Sequence, residues 1–309
     1  MRVALVLNGA AGALIGQPPD VLTAKYERIL ARAGAEGRVV VATGADLLPA
    51  IDAAIASDAE VILVGGGDGT IIAVAERLLP EHRAGSGRPL GVVPLGTANL
   101  LARDLGIPLM PELAVPALLS GRALRIDVAL VNDRIFLNSS LLGVAPRMVQ
   151  QRERARHDRG PLKWLRLVRA FFRGLDHAPR LHVVLQADGR PVRLVTRTLA
   201  VSNNPVAEGF AAIHGRKTLE SGLLGVYAAR LDRRFDLWRL AVRIVAGTWQ
   251  RDPSTAALAT RRVNVVARRK RLWVANDGEN HLLVTPLRYR ILPRALVVLV
   301  PQAATEPSA

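Results

Sequence analysis

Residues 61–70 read Val-Ile-Leu-Val-Gly-Gly-Gly-Asp-Gly-Thr, and the helix-like stretch Ile71 to Leu79 follows directly. This order predicts a buried strand, a loop made almost entirely of backbone, and a helix start, which together present amide N–H groups to phosphate. The glycines let the main chain approach a ligand without interference from a Cβ atom. Asp68 carries the charge of the loop and can orient Mg²⁺ or a polarised water beside the phosphate. The loop is not a P-loop, because no Gly-Lys-Ser/Thr follows, and Thr70 stands where the dinucleotide fingerprint has its last glycine.

The composition narrows the class of protein and of partner. With 309 residues, 50% of them hydrophobic, the chain is expected to form two domains, or one with a large insertion, around a sizeable core. It contains no cysteine, which excludes disulfides, thiolate metal sites and cysteine nucleophiles, and its 6 histidines argue against a histidine-built metal centre. The net charge of +16 favours an anionic partner: nucleic acid, anionic lipid or a phosphorylated substrate. The N-terminus starts at once with a strand and no apolar run of about 18 residues occurs, so we expect a cytoplasmic protein without a membrane span.

The pattern of strands and helices changes near residue 126. Before it, apolar strands alternate with helices, which predicts a parallel sheet whose ligand site lies beyond the carboxyl ends of its strands. After it, short strands joined by turns such as Asn132-Asp133 predict an antiparallel β domain with helices at Pro161–Leu175 and Phe235–Thr248. We therefore expect an α/β domain at 1–125, a β-rich domain at 126–290, and at 291–309 a strand that returns to the first domain, then a tail.

A second loop of the same kind follows the next predicted strand. Residues 94–99 read Pro-Leu-Gly-Thr-Ala-Asn, so that Pro94 and Gly96 shape a turn, while Thr97 and Asn99 offer short polar side chains at a helix start. Two such loops at the ends of neighbouring strands would face a common ligand. A nucleotide is the simplest ligand that could contact both loops. Taken alone, Thr97 and Asn99 equally suit plain helix capping.

The two loops together resemble the diacylglycerol kinase catalytic-domain family, which includes bacterial lipid kinases and is related to sphingosine and ceramide kinases and, more distantly, to NAD kinases. The first loop is shared with NAD kinases, whereas Pro94 to Asn99, followed by Leu101-Ala102-Arg103, is more particular to the lipid kinases. Further segments match in order along nearly the whole chain: Ile126-Asp127-Val128, Phe136-Leu137-Asn138, Leu141-Leu142-Gly143, Val201-Ser202-Asn203, Asn276-Asp277-Gly278-Glu279 and Leu292-Pro293-Arg294-Ala295-Leu296. The resemblance implies a Rossmann-like, phosphofructokinase-like parallel-sheet domain followed by an antiparallel β-sandwich domain.

The resemblance also implies the roles of individual residues. It assigns ATP binding to the first domain, with Mg²⁺ near Asp68, and lipid binding to the second. The Asp277-Gly278-Glu279 turn takes the proton of the acceptor hydroxyl, with Glu279 preferred and Asp277 its close partner; on an extended segment the two acids would share one face. The nucleotide-binding set is Asn8, Thr43, Gly65, Gly66, Gly67, Asp68, Gly69, Thr70, Ile71, Ile72, Gly96, Thr97 and Asn99.

The sequence departs from the family pattern in three places. Gly9 replaces the proline that usually follows the early Asn8. Ile72-Ala73 replaces an Asn-Glu pair on which NAD kinases rely, which argues against that activity. Ser221 replaces an acidic ligand of a structural Mg²⁺ site, whose remaining candidates are Thr218, Glu220 and Leu223, and a serine hydroxyl is a poor ligand for a hard cation.

The expected activity is transfer of the γ-phosphoryl of ATP to a lipid hydroxyl, most simply that of diacylglycerol to give phosphatidic acid. Alternatives are a sphingoid base, ceramide, phosphatidylglycerol or NAD as acceptor, or an anionic-membrane binding protein of the same fold. The predicted helix 161–175 places its aromatic and aliphatic side chains on one arc and basic ones on the other, which suits a bilayer surface or packing on the β domain. We expect a peripheral membrane contact. We expect no nucleic-acid partner, because the sequence has no recognisable nucleic-acid recognition module. A homodimer is an open alternative.

Overall fold

The computed structural model describes residues 1–79, 87–143, 181–187, 190–207, 215–216, 218–229 and 252–302, with scattered positions between 236 and 249. The chain forms two compact units, one of Met1–Ile126 together with the residues from Arg294 onward, and one of Asp127–Pro293. The predicted amphipathic helix 161–175 lies outside the described residues, as do most positions of the predicted helix 235–248. Within the described part of the chain, no helix is long and apolar enough to cross a membrane.

The first unit is a parallel sheet with helices between its strands. The sheet order is β2-β1-β3-β4 and every pairing is parallel, with Val6 beside Val64 and Gly65 beside Val93. All six residues of β3 are buried, as expected for a strand that helices cover on both faces. Its elements are β1 (Arg2–Asn8), α1 (Pro19–Arg32), β2 (Glu36–Ala42), α2 (Leu47–Ala56), β3 (Val61–Gly66), α3 (Asp68–Leu78), β4 (Leu90–Pro94), α4 (Leu100–Asp104) and α5 (Pro111–Leu119).

The second unit is a β-sandwich. One antiparallel sheet has the order β12-β11-β10-β7-β14-β15, and the opposing strands include β13, which pairs with β8 and with the start of β16. A continuous apolar core that draws on both sheets lies between them. The strands are β5 (Arg122–Val131), whose residues up to Ile126 belong to the first unit, β6 (Arg134–Phe136), β7 (Ser139–Gly143), β8 (Leu181–Ala187), β9 (Arg190–Thr196), β10 (Thr198–Asn203), β11 (Leu224–Ala229), β12 (Thr255–Thr260), β13 (Arg262–Ala267), β14 (Arg271–Asn276), β15 (Glu279–Val284) and β16 (Leu287–Val300), whose residues from Arg294 onward belong to the first unit.

The α/β domain and the β-sandwich expected from the sequence are both confirmed, but several boundaries differ. Residues 190–203 form two strands, because the chain leaves one sheet for the other between β9 and β10. Thr196 marks this corner, and its hydroxyl donates to the carbonyls of Thr198 and Ala229, each at 2.7 Å. Strand β16 starts at Leu287, four residues before the segment 291–309 in which the last strand was expected. The corner residues Thr196, Arg197 and Thr198 include two β-branched threonines that suit a strand, so local propensity does not reveal the change of sheet.

Candidate active site

The first glycine-rich loop is shorter than the sequence predicts. Strand β3 includes Gly65 and Gly66, and helix α3 begins at Asp68 rather than at Ile71, with Gly67 as its N-cap. Asp68, Gly69 and Thr70 therefore form the first helical turn, where backbone N–H groups have no intrahelical acceptor. The first intrahelical bond runs from the N–H of Ile71 to the carbonyl of Gly67 at 3.1 Å. A helix N-terminus of this kind attracts anions through both its N–H groups and its dipole.

Close packing explains why glycine occupies this loop. Gly65, Gly66, Gly67 and Gly69 do not adopt positive φ, so a left-handed conformation is not the reason. A Cβ added at Gly66 would lie 2.5 Å from Thr70 Cβ, and one added at Gly96 would lie 2.6 Å from Gly67 Cα. The glycines thus let the two loops touch through their backbones.

Asp68 joins the two loops. Its Oδ1 accepts a hydrogen bond of 3.0 Å from the backbone N–H of Leu100, the first residue of α4. The N–H of Leu95 also donates to the carbonyl of Gly66 at 3.1 Å. Burial raises the pKa of the Asp68 carboxyl, whereas the backbone N–H groups at the start of α4 act in the opposite direction. The loops predicted to share a ligand are therefore in direct contact.

Asn8 ties the end of β1 to the same helix start. Its Nδ2 donates to Thr70 Oγ1 at 3.0 Å, while its Oδ1 accepts the N–H of Ala10 at 3.0 Å. Thr43 follows β2 and is exposed, and a Cβ added at Gly9 would lie 2.9 Å from its Cγ2. Asn8, Thr43 and Thr70 thus lie at the carboxyl edge of the parallel sheet, where ligands of open α/β sheets bind.

In the second loop, Asn99 shapes the backbone. Its Oδ1 accepts the N–H of Gly96 at 2.9 Å, its Nδ2 donates to the carbonyl of Gly96 at 2.8 Å, and its φ is 49°. Because both ends of this amide are engaged within the loop, Asn99 holds the turn. Thr97 is exposed at the tip of the loop, where a ligand can reach its hydroxyl.

In the second unit, the acidic residues lie in a tight hairpin turn rather than on an extended segment. Strands β14 and β15 pair Asn276 with Glu279, so Asp277 and Gly278 are the two turn residues, with φ of 46° and 92°. This is the pattern of a type I′ turn, for which Asp-Gly is a favoured sequence. The expectation that Asp277 and Glu279 share one face of a strand is therefore wrong, because the chain reverses between them.

The two acids of this turn have different surroundings. The Asp277 carboxylate accepts backbone N–H groups of Leu137, Asn138 and Ser139 at 2.6, 2.9 and 2.7 Å. Burial raises its pKa to about 6, although these three bonds oppose the shift. The Glu279 side chain is 61% exposed, and its Oε2 lies 4.0 Å from His281 Nε2. Asp277 is thus engaged in holding residues 137–139, whereas Glu279 is accessible.

The structure adds a residue that the sequence did not single out. Arg216 donates from Nη1 to the carbonyls of Leu137 and Asn203 at 2.6 and 2.8 Å, and from Nη2 to Asn138 Oδ1 at 3.0 Å. It therefore fastens the same segment as Asp277. The segments that match the family around Leu137 and Asn203 are joined here, but no local pattern around Arg216 indicates this role.

The residues suggested for a structural Mg²⁺ do not fit that ion. Ser221 donates its hydroxyl to Asn204 Oδ1 at 2.6 Å, and its Oγ accepts the N–H of Leu223 at 3.2 Å. The hydroxyl of Thr218 accepts the N–H of Glu220 at 3.1 Å. Of the four candidates, only Glu220 has a carboxylate, and no cluster of three or more acidic or histidine side chains occurs among the described residues. The loop 218–223 is thus held by hydrogen bonds within itself and to Asn204 and Asp127.

A parallel α/β unit with two touching glycine-rich loops, together with a β-sandwich unit, defines the class of two-domain kinase-like folds. Residues 2–131 match the diacylglycerol kinase catalytic domain model, and residues 141–300 match the model of the YegS C-terminal NAD kinase beta sandwich-like domain. The second match alone covers more than half of the chain. The chain therefore belongs to the family of the YegS C-terminal NAD kinase beta sandwich-like domain, and its first unit matches the diacylglycerol kinase catalytic domain, so the resemblance inferred from its motifs is confirmed.

Individual relatives agree with this assignment. A "Probable lipid kinase YegS-like" of Serratia proteamaculans is 47% identical over 94 residues, which cover 29% of this chain and 30% of that protein. A protein of the same name from Yersinia enterocolitica is 44% identical over 105 residues, covering 33% and 34%. These matches span about a third of the relatives' length. The crystal structure of a diacylglycerol kinase from Bacillus anthracis matches over 98% of both chains with a TM-score of 0.68. The sequence identity is 18%, so this match shows a similar fold.

Proposed function

We propose that the protein is an ATP-dependent lipid kinase that phosphorylates diacylglycerol to phosphatidic acid. The observation that carries the proposal is the contact of the two glycine-rich loops through Asp68, in a unit that matches the diacylglycerol kinase catalytic domain. The free N–H groups at the start of α3 would bind the phosphates of ATP, beside Thr97. The acceptor oxygen then bonds to the γ-phosphorus, the bond from that phosphorus to the bridging oxygen breaks, and ADP leaves.

Glu279 is the proton acceptor in this proposal and Asp277 a positioning residue. A general base needs an accessible carboxylate within reach of the hydroxyl proton, and the exposure of Glu279 meets the first requirement. Asp277 already accepts three backbone bonds and would support residues 137–139 instead.

Mg²⁺ fits the donor site through Asp68. This ion is commonly held by one or two carboxylates together with substrate phosphates, so a single carboxylate at the edge of a phosphate loop is sufficient. When bound, the ion would neutralise charge on the phosphates. We propose no ion at residues 218–223, where Thr218 and Ser221 are engaged in hydrogen bonds within the loop and to Asn204.

An apolar groove in the second unit supports a lipid acceptor. It has a volume of about 630 Å³ and lies between the edges of the two sheets. Its lining is aliphatic throughout: Leu185, Ala187, Val192, Leu194, Val226, Ala228, Ala256, Ala257 and Leu258. Such a groove suits an acyl chain, whereas its side chains offer no polar group to orient a soluble acceptor such as NAD.

The substrate is tested with labelled ATP offered to the full chain together with diacylglycerol, a sphingoid base, phosphatidylglycerol or NAD, the lipids in mixed micelles. The proposal expects label in the lipid phase, with diacylglycerol the best acceptor. Label found only in a water-soluble product from NAD would overturn it.

The groove is tested by filling it. Ala256 is exposed, lines the groove and pairs with Ala228 of β11. Ala256→Trp is expected to raise KM for long-chain diacylglycerol about tenfold and to affect a short-chain analogue less. Ala259→Trp is the matched control, because Ala259 is exposed on the same strand but does not line the groove. Equal KM values for both variants would exclude the groove as the acyl site.

A further inference from the structure

The hairpin of β14 and β15 carries an apolar surface that faces solvent. Trp273, Leu282 and Val284 are 51%, 46% and 57% exposed. Trp273 pairs with Leu282, and Arg271 pairs with Val284, so the four side chains lie on one face of the hairpin. The opposite face carries Leu272, which belongs to the core. Both faces are therefore apolar.

This arrangement is unusual for the outer strand of a sheet. Strand β15 is the edge of its sheet, and such strands normally carry polar or charged residues on their solvent face. Leaving large side chains in water forgoes about 25 cal/mol for each Å² of apolar surface. Contiguous exposed apolar residues rimmed by charge commonly mark an interaction surface.

Four consecutive cations adjoin this surface. Arg268, Arg269, Lys270 and Arg271 are all exposed, and none forms an ion pair with another described residue. Their backbone is held in place by Thr285, whose hydroxyl donates to the carbonyl of Arg269 at 2.7 Å and whose N–H donates to that of Lys270 at 3.0 Å. The structure therefore presents a fixed basic turn beside Val284.

We propose that this basic-aromatic surface, formed by residues 268–271 with Trp273, Leu282 and Val284, docks on an anionic lipid bilayer. Tryptophan favours the headgroup level of a membrane, aliphatic side chains reach the acyl boundary, and cations near an anionic leaflet are attracted to its charge. The phosphates of a nucleic acid would contact the cations, but its bases stack on aromatic rings and would gain little from contact with Leu282 and Val284.

The position of the surface relates it to the proposed reaction. Trp273 and Glu279 belong to one hairpin, and Trp273 is three residue steps of about 3.3 Å each from Asn276 at the turn. A lipid acceptor presents its hydroxyl at headgroup level, so docking this hairpin would bring Glu279 close to that depth. This link rests on the proposed function, whereas bilayer binding itself does not.

The test measures co-sedimentation of the full chain with vesicles of phosphatidylcholine alone or mixed with phosphatidylglycerol, without ATP. We expect binding to the anionic vesicles that weakens with salt. Arg269→Glu/Lys270→Glu and Trp273→Ala should each reduce the partition coefficient at least about tenfold. Arg28→Glu/Arg32→Glu, on an exposed part of α1, changes the net charge equally and should retain most of the binding. Urea unfolding midpoints show whether each variant is folded.

Several results would overturn the proposal: equal binding of the wild type to neutral vesicles, unchanged binding of both hairpin variants, or an equal loss in the α1 control. If single-stranded RNA displaces the protein from vesicles and Trp273→Ala does not weaken the binding of that RNA, the cations would be assigned to nucleic acid instead.

Measurements of kinase activity distinguish a failure of this proposal from a failure of the proposed function. The charge-reversal variant should phosphorylate lipid in micelles normally and lipid in vesicles poorly. Vesicle binding without any kinase activity would refute the function but leave the docking surface intact.

Discussion

The carboxylate of Asp68 accepts a 3.0 Å hydrogen bond from the backbone N–H of Leu100, 32 residues further along the chain. The bond joins the first turn of α3 to the first residue of α4. It connects the two glycine-rich loops. Asp68 therefore has two properties that can be tested separately: an oxygen that accepts this hydrogen bond, and a negative charge.

Asp68 variants should distinguish these two properties. In Asp68→Asn the amide oxygen can still accept the N–H of Leu100, so we expect the free energy of unfolding to change by less than about 1 kcal/mol. The charge is lost, so turnover should fall about 100-fold or more if Asp68 holds Mg²⁺. Asp68→Ala should also lower the free energy of unfolding by about 1–2 kcal/mol.

Urea unfolding and turnover measurements check both Asp68 variants. Asp58→Ala is the control, because Asp58 is an exposed acid whose ion pair with Arg2 should contribute about 0.5 kcal/mol or less. Near-normal turnover of Asp68→Asn would rule out the metal-binding role.

A methyl group at the contact between the loops should separate them. In Gly96→Ala the new Cβ would lie 2.6 Å from Gly67 Cα, and backbone cannot move aside as a side chain can. We expect a loss of stability of about 1–3 kcal/mol and a large loss of ATP affinity, measured by calorimetric titration. Gly12→Ala is the control, because a Cβ there meets nothing within 4 Å. An unchanged ATP affinity of Gly96→Ala would show that the loop contact does not form the nucleotide site.

Substitutions of the two acids at the hairpin turn should have different effects, one on turnover and the other on the free energy of unfolding. Glu279→Gln should lower kcat about 10²- to 10⁴-fold without loss of stability, as expected for removal of a general base from an exposed position. Asp277→Asn should lower the free energy of unfolding by about 1–3 kcal/mol, because an amide cannot accept all three backbone N–H groups. Asp133→Asn, an exposed acid in the turn between β5 and β6, should change neither quantity. Full turnover of Glu279→Gln would refute its assignment as the base.

The raised pKa of Asp277 predicts a pH dependence of stability. Burial raises the pKa of Asp277 to about 6 in the folded state, whereas in the unfolded chain the carboxyl ionises near the ordinary aspartate pKa of 3.8. Between these values the folded state binds more protons, so the contribution of Asp277 to the free energy of unfolding falls as pH rises from about 4 to about 6. The total fall is about 3 kcal/mol at most, at about 1.36 kcal/mol per pKa unit.

Urea unfolding across this pH range, compared between wild type and Asp277→Asn, isolates that contribution. The variant should show a less negative slope with pH, because its side chain does not titrate. Identical slopes would show that Asp277 ionises in the folded state as it does in the unfolded chain.

Local sequence patterns anticipated much of the first unit and parts of the second. The apolar runs at Val61–Val64 and Leu90–Val93 form neighbouring parallel strands, because strands buried on both faces need continuous apolar sequence. The turn at Asn132-Asp133 was also correct, because its residues suit a positive φ. The start of α3 was placed three residues late, because glycines conceal a helix start that tertiary contacts stabilise.

By itself, the sequence determined the alternation of strands and helices, the two glycine-rich loops and the family, since each depends on residues that are neighbours in the chain. Only the tertiary structure decided what distant residues do for one another. It engages Asp277 with Leu137, 140 residues away, and leaves Glu279 exposed, although the two acids are separated in sequence by a single glycine. It also exposes Trp273 and Leu282, because this cross-strand pair lies on the face of the β14–β15 hairpin opposite to Leu272 and the core. Burial and hydrogen-bond partners arise from packing between segments, and no local pattern encodes them.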